Sequence, residues 1–174
     1  KEQRYIVCPV LTASNNYLSV NTSMVKPEEI KSYKDLLNPK WKGKIIADPT
    51  KPQWFIGQLD RLGKEKCMAY MKKLGEQQLI SRNYSIGIEL LASGEAVLGL
   101  FHPLMRVDEF KMKGAPVEWA RITPVIASIN GIGITSYPPH PSAARLFVDF
   151  VLSMRGQQIL ADNDSWPSRR GVNH

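Results

Sequence analysis

The sequence predicts an α/β fold with a mixed or parallel sheet, and three observations carry that reading. Segments with apolar residues at helical spacing alternate with short β-rich apolar runs along all 174 residues. The helical segments are bounded by capping and stop residues, most legibly between Ser81 and Pro124. There Ser85 reads as an N-cap, Ile86, Leu90 and Leu91 recur at helical spacing, and Ser93-Gly94 gives the stop. Ala96 to Phe101 then forms an apolar run of strand length, as a buried strand does. Finally, an apolar fraction of 43% with 22% charged residues supplies a sizeable core and a solvated surface.

Taken in order, Tyr5 to Leu11 is rich in β-formers, and Pro9 places it at a sheet edge or at a strand break. Tyr17 to Val20 is a second short strand. Pro27 opens a helix with Glu28 and Glu29 in its first turn, where the helix dipole favours acids, and Ile30, Tyr33, Leu36 and Leu37 mark its apolar face. Asn38-Pro39 stops it, because the residue before a proline is pushed out of the helical region. Trp41-Lys42-Gly43-Lys44 is a turn, Ile45-Ile46-Ala47 a strand, and Asp48-Pro49-Thr50 its end.

Pro52 to Leu62 reads as a helix ended by Gly63. Glu65 to Leu74 is a second, with Met68, Met71 and Leu74 on one face and Gly75 as its cap. Gln77 to Ile80 is a short strand. After the helix–strand unit described above, Val107 to Met112 is helical and Val117 to Ala120 is a strand. The Gly-rich run from Ala127 to Thr135 reads as a strand with close backbone neighbours. Ser142 to Leu152 is the clearest amphipathic helix, with Ala143, Leu146, Phe147, Phe150 and Val151 apolar. Arg155 to Leu160 continues as a short helix, and the tail around Trp166-Pro167 reads as a loop.

The net charge of +7 favours anionic partners. The basic residues are scattered beside polar turns, without a basic stripe interleaved with aromatics, so nucleic acid is not an expected partner. Cys8 and Cys67 show neither Cys-x-x-Cys nor zinc spacing. Cys67 lies in a helical pattern as a small core residue, and whether the two pair is left open. No apolar run approaches the length of about 18 residues that spans a membrane. The chain opens on Lys1-Glu2-Gln3-Arg4 without a signal-peptide pattern.

Catalytic constellations are not found. His102, His140 and His174 are widely spaced, and the sequence has no Gly-x-Ser-x-Gly elbow, P-loop or Gly-x-Gly-x-x-Gly fingerprint. Asp48 reads either as a general base or, in Asp-Pro-Thr, as a turn and cap. No enzymatic activity is expected. The helix start at Ser85 carries free N–H groups and partial positive charge. An oxygen-rich ligand can sit there, or Ser85 can simply cap.

Several segments together carry a family resemblance. Ser32-Tyr33-Lys34-Asp35-Leu36-Leu37-Asn38-Pro39-Lys40-Trp41-Lys42-Gly43-Lys44-Ile45 resembles a hallmark of bacterial extracellular solute-binding proteins of ABC importers, in the ferric-iron-binding branch. Asp48-Pro49-Thr50, Leu91-Ala92-Ser93-Gly94-Glu95, Lys113 to Trp119, Pro124 to Ala127, His140 to Phe150, Ser153 to Leu160 and Trp166 to Arg169 follow in the same order.

That resemblance implies a type 2 periplasmic-binding-protein fold. It makes residues 22–122 an α/β lobe two with a mixed sheet, and residues 1–21 and 123–174 the crossing strands and C-terminal part of lobe one. The N-terminal part of lobe one is absent on this reading. It implies solute binding without chemical change, a small-molecule or ion ligand, an ABC permease as partner, and a periplasmic or extracellular location associated with the membrane through that permease. The incomplete lobe implies weak or absent ligand binding, and an exposed edge and apolar face that favour a homodimer or strand exchange.

Iron-binding members supply adjacent tyrosines just after the strand that here is Val97 to Leu100, whereas this chain has Phe101-His102-Pro103. Phenylalanine has no donor and histidine is a softer base than a phenolate, which argues against Fe³⁺ as the transported ligand. No cofactor is expected. The candidate ligand-binding residues are Thr50, Trp54, Tyr84, Ser85, Phe101 and Asn130, at or near strand ends and helix starts, where open α/β sheets bind ligands. Trp54 is equally readable as a core residue, and His102 as either a metal ligand or a plain polar residue. Two alternative functions remain: an effector-binding domain of a transcription factor with the same fold, and a metal-dependent enzyme using His102 and Asp48.

Overall fold

A computed structural model describes residues 7–13, 17–123, 128–163 and 165–173. The chain divides into two compact units, one of Lys1–Ala13 with Ala127–His174 and the other of Ser14–Ile126. Tyr5 and Ile6 of the first expected strand, the segment 124–127 and His174 lie outside the described residues.

The larger unit is built on a five-stranded mixed sheet. Its strands are β2 (Tyr17–Asn21), β3 (Ile45–Ala47), β4 (Ile80–Ser81), β5 (Leu98–His102) and β6 (Val117–Ala120), in the order β4-β3-β5-β2-β6. β3 pairs in parallel with β4 and β5, while β2 is antiparallel to β5 and β6. Helices α1 (Pro52–Leu62), α2 (Lys64–Gly75), α3 (Tyr84–Ser93) and α4 (Leu104–Met112) supply the connections. The alternation of β2 divides the core. Leu18 and Val20 join Leu36, Trp41, Ile45, Trp54, Leu98 and Leu100 in one apolar cluster. On the other side Ile88, Leu91, Val107 and Val117 form a second, against α3 and α4. A sheet apolar on both faces is what parallel central strands require.

Several local expectations are corrected. The helix expected from Pro27 is a pair of 3-10 turns, Pro27–Glu29 and Tyr33–Leu37. The Asp35 carboxylate accepts from the Lys31 and Ser32 backbone N–H groups at 2.9 and 2.8 Å, which breaks the segment before it can continue. The N-cap of α3 is Asn83, not Ser85: Asn83 Oδ1 accepts from the Ile86 N–H at 3.0 Å. The buried face of α3 is Gly87, Ile88 and Leu91, and Ile86 is exposed. Gly75 is the last residue of α2 and Glu76 its cap. Cys67 is a free thiol buried in this unit.

The smaller unit is a three-stranded antiparallel sheet of β1 (Val7–Ala13), β7 (Ser128–Gly133) and β8 (Trp166–Pro167), with α5 (Pro141–Leu152) and α6 (Met154–Ala161). β1 is the central strand, not an edge. Pro9 is tolerated because the register with β7 shifts between Pro9 and Leu11 and the short β8 pairs only with Leu11 and Thr12. The segment Trp166–Pro167, expected as a loop, is therefore a strand. Gln157 fixes it there: its Nε2 donates to the Val10 and Val151 carbonyls at 3.0 and 2.9 Å, and its Oε1 accepts from the Ser168 and Arg169 N–H groups at 2.8 and 3.2 Å. The apolar face of α5 is not covered: no residue of α5 is buried, and Leu146 and Phe147 are 72% and 59% exposed.

Candidate functional site

The parallel strands β3 and β5 end side by side, and their carboxyl ends meet the starts of α1 and α3. Asp48 joins these ends. Its Oδ1 accepts from the Thr50 N–H at 2.9 Å and the Thr50 hydroxyl at 2.6 Å, and its Oδ2 accepts from the Tyr84 N–H at 3.1 Å. Burial pushes this carboxyl up, but the bonds from Thr50 and Tyr84 outweigh it and hold the group below its ordinary range. Asp48 thus works as the turn and cap that Asp-Pro-Thr suggests, and it ties the β3 end to the first turn of α3. With Asp48 on Tyr84 and Asn83 on Ile86, two N–H groups of that turn already have protein acceptors.

One irregularity in β5 shapes the site. The register with β2 shifts between Tyr17 and Leu18, and Phe101 takes a φ of +71°. This bulge sends Leu100 and Phe101 to the same side of the sheet, where both enter the cluster with Trp54. A left-handed φ on a bulky residue is strained, and the packing that holds it is aromatic. Trp54, 2% exposed, lies 5.1 Å from the Phe101 ring centroid and 5.5 and 6.1 Å from those of Tyr33 and Tyr70.

The same bulge turns His102 to the opposite side. Its imidazole is 0% exposed, with Nδ1 2.7 Å from the Ser19 hydroxyl oxygen, which in turn lies 3.2 Å from the Gly99 carbonyl. Nδ1–H donating to Ser19, and Ser19 donating to Gly99, satisfies both contacts. Nε2 has no partner and faces Gly87 of α3 and Ile46. A Cβ on Gly99 would lie 2.6 Å from both Nδ1 and Ser19 Oγ, so glycine is required there to admit the ring. Burial pushes the His102 pKa down to about 4, against the opposing charge of Asp48. Among the described residues, no group of three or more His, Cys, Asp or Glu side chains is placed to hold a metal ion.

Between α1, α2 and the ends of β3, β4 and β5 opens a concavity of about 410 Å³. Trp54, Phe55, Met71, Leu100 and Phe101 give it largely apolar walls, while Asp48 and Lys51 add the charged groups. The Lys51 ammonium lies 5.3 Å from the Tyr84 ring centroid. Thr50, Trp54, Tyr84 and Phe101 are thus joined through Asp48 and the aromatic cluster, with half-buried Ser85 next along α3. Asn130 is exposed on β7 in the smaller unit. Sequence reasoning missed Ser19, which stands 83 positions from His102, and only the pairing of β2 with β5 reveals it. This geometry can hold a small solute by apolar contact and a few polar groups.

Residues 9–163 match the family described as bacterial extracellular solute-binding protein. Iron uptake protein A1 of Synechocystis sp. is 29% identical, over 87% of this chain and 47% of its own length. The Trichodesmium protein IdiA (FutA), solved with iron and citrate ligands, superposes with a TM-score of 0.80 at 20% identity, over 96% of this chain and 58% of its own. The periplasmic binding protein AfuA of Actinobacillus pleuropneumoniae, solved with fructose-6-phosphate, gives 0.74 at 25% identity, over 97% and 56%. The chain spans about half the length of the curated relatives it matches. A match that runs through both sheets and nearly every helix leaves one assignment: the chain belongs to the family of bacterial extracellular solute-binding proteins.

Proposed function

We propose that this chain captures a small organic solute outside the cytoplasmic membrane and hands it, chemically unchanged, to the permease of an ABC importer. The observation that carries this reading is the aromatic concavity at the carboxyl ends of β3 and β5, on a chain of the solute-binding family. Trp54 and Phe101 act as the apolar wall and Asp48, Lys51 and Ser81 as its polar groups, with Thr50 and Tyr84 held beside it by Asp48. On this reading the protein binds rather than catalyses. Its relatives are uptake and binding proteins, which lends no support to a transcription-factor domain.

An organic solute is favoured over bare Fe³⁺ because the end of β5 offers Phe101, a buried His102, Pro103 and Leu104, and no phenolate. Ferric iron is the second reading, favoured by the names of the curated relatives.

Amide NMR titration of the chain tests both, with fructose 6-phosphate, thiamine, spermidine and ferric citrate as separate probes. The expected result is saturable shifts at Thr50, Tyr84 and Ser85 with an organic probe, weakened by Trp54→Leu. Saturation by ferric citrate alone favours iron. If no probe moves these amides, the site assignment is wrong.

A further inference from the structure

We propose that a second concavity, bordered by the Tyr33–Leu37 turn, the end of α1 and the start of α2, is a binding site for a phosphate-type dianion, either inorganic phosphate or a phosphate monoester. This inference does not rest on the solute-capture reading, because the residues involved are different from those at the strand ends.

The cavity measures about 430 Å³, within the range of roughly 300–1,000 Å³ typical of small-molecule sites. Lys34, Arg61 and Lys66 all line it, and no acidic side chain does. Among the described residues none of the three takes part in an ion pair, although Lys40, Arg106, Lys111 and Lys113 all do. Asp35, next to Lys34 in sequence, has its Oδ2 occupied by the Lys31 and Ser32 N–H groups and the Ser32 hydroxyl. Three unpaired cations around one hollow repel each other, and a dianion relieves that repulsion.

Arg61 is held in place for the task. Its Nε and Nη2 donate to Gln58 Oε1 at 3.2 and 2.8 Å, and Gln58 is wholly buried in α1. This fixes the plane of the guanidinium and leaves Nη1 to an incoming oxygen. A buried amide that orients an exposed arginine is an unusual use of a core position, and Gln58 Nε2 goes unpartnered there. The Tyr70 hydroxyl is already committed to the Tyr33 carbonyl at 2.7 Å, so it shapes the wall rather than binding. Thr123 adds a hydroxyl at the rim. The lining thus offers cationic and neutral donors and no carboxylate, as an anion site requires.

The test is a titration of the chain at constant ionic strength, with inorganic phosphate and glycerol 3-phosphate as probes and chloride as control, followed through the Arg61 Nε–H and the Lys34 and Lys66 amides. Both probes should shift these signals saturably. Arg61→Gln should weaken binding at least about tenfold, Lys66→Gln several-fold, and Lys73→Gln on the far turn of α2 not at all. Tighter binding of the ester assigns a monoester, and equal binding assigns the phosphate group alone; either supports the site. Lys66 is exposed, so its variant carries the test even if Arg61→Gln fails to fold. Linear shifts that chloride reproduces, or equal affinity in the Arg61 and Lys66 variants and the parent, overturn the proposal. Strand-end amides such as Thr50 report the other site separately.

Discussion

Acidification provides the sharpest check on the buried His102. The ring is wholly buried, Nε2 has no acceptor, and burial lowers its pKa from 6.5 to about 4. In the unfolded chain it takes a proton near pH 6.5. Below that value the unfolded state binds more protons than the folded one, so stability is present at neutral pH and falls as pH drops toward 4. Between pH 7 and pH 5 the loss is about 2 kcal/mol, from a pKa gap of about 2.5 units at 1.36 kcal/mol each, not yet fully expressed. The lowered carboxyls Asp35 and Asp48 start from 3.8 and Glu29, Glu109 and Glu118 from 4.5, so their stabilisation is lost mainly below this interval. The assay is urea unfolding at pH 7 and pH 5, followed by the fluorescence of Trp41, Trp54 and Trp119, all in the larger unit. His102→Gln should flatten the dependence, and NMR of the imidazole should show no protonation at pH 5. An unchanged midpoint between the two pH values, or the same drop in the His102→Gln protein, refutes the reasoning.

Gly99→Ala places a methyl group against His102 and Ser19 and should cost about 1–3 kcal/mol by overpacking, read as a lower thermal midpoint. Adding His102→Ala should return part of that loss; strict additivity would show that the two do not meet. Gln157→Leu leaves the Val10 and Val151 carbonyls and two tail N–H groups without their partner, and should destabilise the smaller unit by at least about 2 kcal/mol, read by Trp166 fluorescence. The exposed Leu146, Phe147 and Phe150 on α5 should join two copies in solution. Light scattering after size exclusion should then give twice the 19.6 kDa chain mass, and Leu146→Asp with Phe150→Asp should restore the monomer; a monomeric parent counts against self-association.

What the residues determine by themselves is what depends on near neighbours. Pro52 to Leu62 folds as the helix its periodicity and Gly63 predict, and Val117 to Ala120 as the predicted strand, because spacing, caps and stops act within a few positions. The order of family motifs likewise made the α/β class and the family legible. The tertiary structure alone decided where His102 and Phe101 point, since a one-residue shift against β2 reverses the side each faces. It also decided that Asn83 rather than Ser85 caps α3, that Asp48 ties two elements together, and that Gln157 recruits Trp166 and Pro167 into a sheet. The Asn83 cap is local, with Ile86 three positions on. Asp48, however, meets Tyr84 36 positions on and Gln157 meets Val10 147 positions back, and no local pattern encodes which distant group will arrive.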